Sequence, residues 1–319
     1  MGVTSHDIFG TAPDAQPAVP GTYGEAPAGY RLPEATRLGA VRLQVADLTR
    51  SLGFYGEMLG LRVLEQGATS ATLAAHGDDG ALIVIEEQRG ARRAGRGLLG
   101  LYHFAILLPD RAALGRFVRH LATTGVLTGG SDHLVSEAFY LTDPDGLGIE
   151  VYADRPRSTW CRQGRELMIS TDPADVSGLL AVAGDSPWTG MPAGTVIGHL
   201  HLHVGDLAMA SAFYSDGLGF DRMTWRYPGA LFMGAGGYHH HLGTNTWASS
   251  SARPPAEGDA QLLEWTIELP TVDDVAEAAR SLDAAGYPVD AMGDGHAALR
   301  DPWGTKVRLC ASESITSTG

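Results

Sequence analysis

Hydrophobic and polar positions change period several times along the chain, in the same order each time. From Ala40, "AVRLQV" alternates apolar and polar residues, as a strand with one buried face does. Asp47-Leu48 then opens a stretch with apolar residues at helical spacing that ends near Gly60, with Asp47 placed as an N-cap. The segment from His199, "HLHLHVGDLAMASAFYSDGLGFDR", repeats this order. Val45, Asp47, Leu48, Phe54, Tyr55, Leu59 and Gly60 recur 159 residues later as Val204, Asp206, Leu207, Phe213, Tyr214, Leu218 and Gly219. A second pair of segments begins at Leu101 and Leu262. There Pro109 and Gly125 recur 161 residues on as Pro270 and Gly286, and "DPDGLGIEVY" recurs 158 residues on as "DPWGTKVRLC". The chain therefore holds four units, each a strand, a helix and further strands, starting near residues 38, 100, 196 and 261.

These repeats divide the chain. Residues 1–37, rich in Pro, Gly and Ala, read as an irregular N-terminal arm, followed by units one and two in 38–156. Residues 157–195 form a linker too long for a simple turn, expected to pack on the surface. Units three and four occupy 196–312, and 313–319 is a C-terminal tail.

One strand breaks the apolar pattern. In "SDHLVSEAFYLTDPDGLGIEVYADRP", Ser131 to Pro156, the strand after the Asp143-Pro144-Asp145-Gly146 turn is apolar except for Glu150. A buried carboxylate is costly unless it is paired, hydrogen-bonded or bound to a metal. Bulk composition narrows the choice of partner. Only two cysteines occur, Cys161 and Cys310, so neither a disulfide framework nor a cysteine zinc site follows, and a reducing cytoplasm is the simplest compartment. The 12 histidines, several clustered, are the informative excess. A net charge of −14 argues against a nucleic-acid partner. No apolar run reaches about 18 residues, so no membrane span is expected, and the N-terminus lacks the basic start and apolar core of a secretory signal.

The four units and their phrases resemble the vicinal oxygen chelate superfamily, which includes glyoxalases, fosfomycin- and bleomycin-resistance proteins and type I extradiol dioxygenases. The resemblance covers nearly all of the chain beyond the arm. It implies an α+β fold of four βαβββ modules forming two cup-shaped half-barrel sheets. The specific part is the pattern His133, five residues, Phe139-Tyr140, two residues, Asp143-Pro144-x-Gly146, three residues, Glu150, which resembles the extradiol dioxygenase signature. Ser131 departs from it. "GLYHFAILLPDR", "YADRPRSTW" and "GGYHHHLG" are most similar to phrases of the two-domain bacterial catechol 2,3-dioxygenases.

In that superfamily metal ligands lie near the start of each unit's first strand and in the last strand. The aligned first-strand positions here are Ala40, His103, His199 and Glu264; the last-strand positions are Glu150 and Arg308. His103 and His199 each stand seven residues before an aspartate, Asp110 and Asp206, and so share a register. His103, His199 and Glu150 make the two-histidine, one-carboxylate set that holds Fe(II) with open positions; Mn(II) is accepted by the same ligands. One site then requires units two and three to face each other. Units one and four form a metal-free cup in which Glu264 and Arg308 pair. The resemblance implies that His133 hydrogen-bonds a substrate oxygen or the leaving ring, that Tyr140 donates to the bound catecholate, and that His240 is the acid–base group. Strand alternation puts His239 and His241 on the opposite face, and a register error of one would make either of them the active residue. Trp188, Trp225 and Trp247 could line an aromatic pocket, but tryptophans are more often core, and none is assigned.

The implied activity is extradiol cleavage of a catechol by O2 in a homo-oligomer, dimer or tetramer. Two alternatives share the fold: a glyoxalase-like isomerase or transferase, and a metal-free drug-binding protein. The first commonly needs a second carboxylate, and "YHHHLGTNTW" offers none.

Overall fold

The computed structural model describes residues 3–11, 14–95, 97–126, 129–293 and 295–312, without the side chains of residues 291 and 292. The tail assigned to 313–319 lies outside the described residues. Each unit opens with a strand: Arg37–Val45, Gly100–Leu107, Val196–His203 and Gln261–Leu269. A helix follows each time, and its N-cap is the residue that the sequence marks. Asp47, Asp110 and Asp206 accept from the backbone N–H three residues on, and Thr271 forms a capping box with Asp274.

Two of these helices differ from the amphipathic α-helix expected. After Leu48–Gly53 and Leu207–Ala210 the chain widens into π-helical turns, Phe54–Met58 and Ser211–Gly217. Each turn carries a fully enclosed tyrosine whose hydroxyl reaches an aspartate of the following unit. Tyr55 donates to Asp143 Oδ2 at 3.1 Å, and Tyr214 donates to Asp301 Oδ2 at 2.8 Å. These are the two Asp-Pro-x-Gly turns, so the matched phrases are joined by matched hydrogen bonds. Sequence-adjacent units are tied by side chains, while the sheets pair differently.

The largest sheet has nine strands and draws on units two and three. At its centre Gly100–Leu107 runs antiparallel to Val196–His203, with His103 opposite His201 and Ala105 opposite His199. The eight-stranded sheet draws on units four and one, with Gln261–Leu269 antiparallel to Arg37–Val45 and Glu264 opposite Arg42. Period-two alternation sorts the two faces of each central pair. Phe104, Ile106, Leu200 and Leu202 are fully buried in one apolar core with Val41, Leu43, Trp265 and Ile267. His103, His199 and His201 are on the other face, inside the curl of the nine-stranded sheet. Truncating a ring such as Phe104 to Ala in this core would cost about 3–5 kcal/mol.

The expectation that 157–195 packs on the surface is corrected. Trp160, Leu167 and Ile169 are buried in a second apolar cluster with Tyr23, Met223, Tyr227 and Phe232. Cys161–Gln163 and Glu166–Leu167 form a small sheet with Gln16–Pro17 of the arm, and Asp172–Pro173 extends the nine-stranded sheet. The helix Val176–Ala183 packs so closely on Arg111–Thr124 that a Cβ at Gly115 would lie 2.2 Å from the Leu179 carbonyl oxygen. The N-terminal arm is also less irregular than expected. It includes the helix Ser5–Phe9, and the Thr171 backbone N–H donates to the Val3 carbonyl at 2.9 Å. Among the described residues no helix is long and apolar enough to cross a membrane.

Candidate metal centre

Strand pairing brings His103, Glu150 and His199 together from distant parts of the sequence. Gly100–Leu107 lies between its partners Gly148–Asp154 and Val196–His203. Glu150 sits beside Ala105 in the first pairing and His199 sits beside Ala105 in the second, so the small alanine leaves room between the two larger side chains. All three residues are buried, and one donor atom from each lies within 4.8 Å of the others. His103 Nε2 is 3.0 Å and His199 Nε2 is 3.4 Å from Glu150 Oε2. The His103 contact is close but not aligned as a hydrogen bond. His103 Nε2 and Glu150 Oε1 are buried without a hydrogen-bond partner among the described residues. Orphaned donor atoms converging on one point fit a divalent cation with N/O preference.

The protonation states fit as well. Burial works to raise the Glu150 carboxyl, but His199 and His103 outweigh it and hold it well below the usual carboxylate range. Burial lowers His199 to about 4, against the opposing pull of Glu150. An ionised carboxylate and a neutral imidazole are the forms that ligate a metal.

The triad opens onto a cavity of about 400 Å³, within the usual size range of small-molecule sites. Val3 of the arm and Ile169 and Thr171 of the linker help to line it, with Tyr227, Phe232 and Trp247. A neighbouring cavity of about 440 Å³ shares Tyr102, His103 and Tyr140 as its wall.

The remaining candidates are placed as follows. His240 lines the metal cavity, its ring centroid 4.2 Å from that of His199. Burial, then His199, lowers its pKa well below 6.5, so it is a neutral imidazole at neutral pH. His241 points instead into a cavity on the other side, lined also by Glu34 and Glu268, and burial lowers it to about 3. His239 is fully enclosed and faces neither cavity; it hydrogen-bonds sideways to His240, Nδ1 to Nδ1, at 2.8 Å. Strict alternation does not apply to it, because residues 239–241 precede the strand Leu242–Asn245. His133 and Tyr140 both line the metal cavity and bond to each other at 2.5 Å. His133 Nδ1 faces the Ser170 carbonyl, which can only accept, so His133 Nε2 is the acceptor for the Tyr140 hydroxyl. Burial and Glu150 keep that phenol protonated. Of the tryptophans, Trp247 stands at the cavity; Trp188 packs on Phe117 and His120, and Trp225 is exposed. In the other sheet Arg308 donates to Glu264 Oε1 at 2.8 Å, and Lys306 lies 2.7 Å from Oε2.

A buried histidine missed in the sequence is His201, which also lines the cavity and whose Nε2 has no partner among the described residues. The signal was present: His201 is two residues after His199 in an alternating strand and so shares its face.

A family profile described as "Glyoxalase/Bleomycin resistance protein/Dioxygenase superfamily" matches residues 37–151 and 196–309. The chain belongs to this superfamily. Within the superfamily it is 46% identical over 261 residues to the "Catechol-2,3-dioxygenase" of Bacillus subtilis (strain 168), covering 81% of this chain and 91% of that protein. Among solved structures, a putative dioxygenase from Bacillus subtilis superposes with a TM-score of 0.60 at 13% identity, covering 89% of this chain and 87% of that one. Glyoxalase I from Zea mays superposes with a TM-score of 0.53 at 17% identity, covering 87% and 92%. At these identities the two structures show the superfamily fold alone.

Proposed function

We propose that the protein is an extradiol dioxygenase that opens a catechol ring and inserts both atoms of O2, giving a 2-hydroxymuconic semialdehyde-type product. His103, Glu150 and His199 hold Fe(II) in this reading. One observation carries it: two histidines and a carboxylate converge, beside an additional neutral histidine, in a cavity large enough for a small aromatic. The catechol-2,3-dioxygenase name of the Bacillus subtilis relative supports it.

Fe(II) held by His103, Glu150 and His199 would supply Lewis-acid and redox chemistry for a catechol and O2. The chain supplies the rest. His240, neutral and unligated, takes a proton from a catechol hydroxyl and returns it later in the reaction. Tyr140 and His133 form a donor–acceptor pair at the cavity wall that orients a substrate oxygen. Phe232, Ile169 and Val3 exclude water, which strengthens each of these polar contacts.

The glyoxalase-like alternative is disfavoured by the position related to Glu150 in unit three. Glu150 pairs with Ala105, two residues after His103; the residue that pairs with His201, two after His199, is Gly243. It has no side chain to ligate, and a Cβ there would meet the His201 ring at 3.0 Å.

The test is direct. Metal-free protein is given Fe(II) and catechol without oxygen, then air. The yellow of a ring-opened semialdehyde is expected; no colour with catechol, methylcatechols or bicyclic catechols would overturn the assignment.

A further inference from the structure

His240 is tied by a chain of hydrogen bonds to Asp154, in the strand that carries Glu150. Its Nδ1 lies 2.8 Å from His239 Nδ1. His239 Nε2 lies 2.9 Å from Asp154 Oδ1. The Tyr238 hydroxyl also donates to that oxygen, at 3.2 Å, and in turn lies 2.7 Å from the Tyr152 hydroxyl. Asp154 is partly open to solvent, whereas His239 is fully enclosed.

The direction of this chain follows from donor and acceptor counting. An ionised carboxylate only accepts, so the His239 proton is on Nε2, facing Asp154. A neutral imidazole then has a bare Nδ1. Two bare nitrogens 2.8 Å apart would repel, so His240 Nδ1 carries a proton and donates it. One ring nitrogen of His240 is left without a proton, Nε2.

We propose that Asp154, acting through His239, fixes His240 in the tautomer whose bare Nε2 is available to the metal cavity. Asp154 and His239 are thus positioning residues for the base. The functional role rests on the dioxygenase reading above; the tautomer does not. The carboxylate also favours the state in which His240 has taken a proton from a catechol hydroxyl onto Nε2, because the Nδ1–H bond to His239 and the His239 Nε2–H bond to Asp154 both strengthen as positive charge develops.

Two measurements test this. Long-range ¹H–¹⁵N spectra of histidine-labelled protein, metal-free and zinc-loaded, report which ring nitrogen of His240 is protonated, with the signals assigned from His239→Asn and His240→Asn. The expected result is His240 protonated at Nδ1 in the wild type, and a shift toward Nε2 in Asp154→Asn, whose amide can donate to His239 and reverse the chain. Wild-type His240 protonated at Nε2, or no change in Asp154→Asn, would overturn the proposal. In Fe(II)-loaded enzyme, Asp154→Asn should lower kcat by about 10²–10⁴-fold with KM and iron content little changed. The loss should be smaller with 4-nitrocatechol, which releases its proton more readily. An equal loss with both substrates would reduce Asp154 to a structural role. If wild-type protein opens no catechol, the dioxygenase reading falls, and the spectra still decide the tautomer.

Discussion

Replacing His103 by Ala removes one of three protein ligands and leaves no substitute. The orphaned His103 Nε2 lies 3.0 Å from Glu150 Oε2, and the remaining pair, Glu150 and His199, cannot enclose an ion. Taking a binding free energy of roughly 10 kcal/mol, the low end for structural zinc in zinc-finger peptides, sets the scale. Shared over three ligands, the loss is about 3 kcal/mol, or more than about 10²-fold in Kd. The fold should survive, because His103 is on the cup face while Phe104 and Ile106 supply the core. Thermal unfolding with and without Fe(II) under anaerobic conditions measures this. At a metal concentration a hundred times the wild-type Kd, binding stabilises the folded state by about 2.7 kcal/mol; a variant weakened a hundredfold keeps only about 0.4 kcal/mol. Its metal-dependent rise in Tm should therefore nearly vanish, while its metal-free Tm stays near that of the wild type. Glu150→Ala and His199→Ala should behave alike, and Glu264→Gln and Arg308→Gln should leave iron content unchanged. Wild-type iron content in His103→Ala would refute the argument.

His240→Asn should keep iron and catechol binding but lower turnover by about 10²–10⁴-fold, with partial relief for a nitrocatechol, whereas His241→Asn, facing away, should turn over normally; single-turnover kinetics separate them. Air or peroxide should inactivate the enzyme, and Fe(II) with a reductant should restore it; activity stable to peroxide would point to Mn(II) or to chemistry without redox. The Asp143 turn sets a pH dependence of stability: burial raises its carboxyl from 3.8 to about 6, so the folded chain holds this proton more tightly than the unfolded chain, and the associated stability is lost as pH rises through this window. Denaturant titrations should show the stability difference between wild type and Asp143→Asn falling by about 2–3 kcal/mol from pH 4 to 7, and a flat difference would mean that the carboxyl titrates normally.

The parts of this protein legible in the sequence are those written as repeats or as period-two patterns. Matched Asp-Leu and Asp-Pro-x-Gly phrases located the four units, and the shared seven-residue spacing to Asp110 and Asp206 gave His103 and His199 one register. Alternation carried the signal for His201, which could have been found from His199 alone. What was not legible depends on contacts between distant segments. Nothing local in "YADRPRSTW" says that Asp154 accepts from His239, 85 residues on. Nothing local says that Trp160 is core, since the linker's burial comes from Tyr23 of the arm and Met223 of unit three. The π-helical turns escaped for a similar reason: Tyr55 and Tyr214 fit an α-helical pattern, and their aspartate partners are 88 and 87 residues away.

The two cups each bury a carboxylate, and they differ in what stands beside it. Both place a carboxylate at a ligand position of a central strand pair or its neighbour, and both bury it: Glu150 is 2% and Glu264 is 5% exposed. Burial of an ionised carboxylate demands compensation, and the cups meet that demand differently. Glu264 has Arg308 at 2.8 Å and Lys306 at 2.7 Å, permanent cations supplied by the strand Lys306–Ala311. Arg308 holds the place that Glu150 holds in the other cup, so in units one and four a fixed positive charge occupies a ligand position. Glu150 has instead the imidazole nitrogens of His103 and His199, which ligate only as neutral bases. The charge that balances it in the working form therefore has to come from a bound divalent cation. On this argument the double variant Glu264→Gln/Arg308→Gln should keep its fold and bind no second iron, because the position related to His199 is Ala40, which has no donor atom. A second equivalent of tightly bound iron in that variant would show that removing the Glu264–Arg308 pair is enough, without histidine ligands, to make a metal site on this fold.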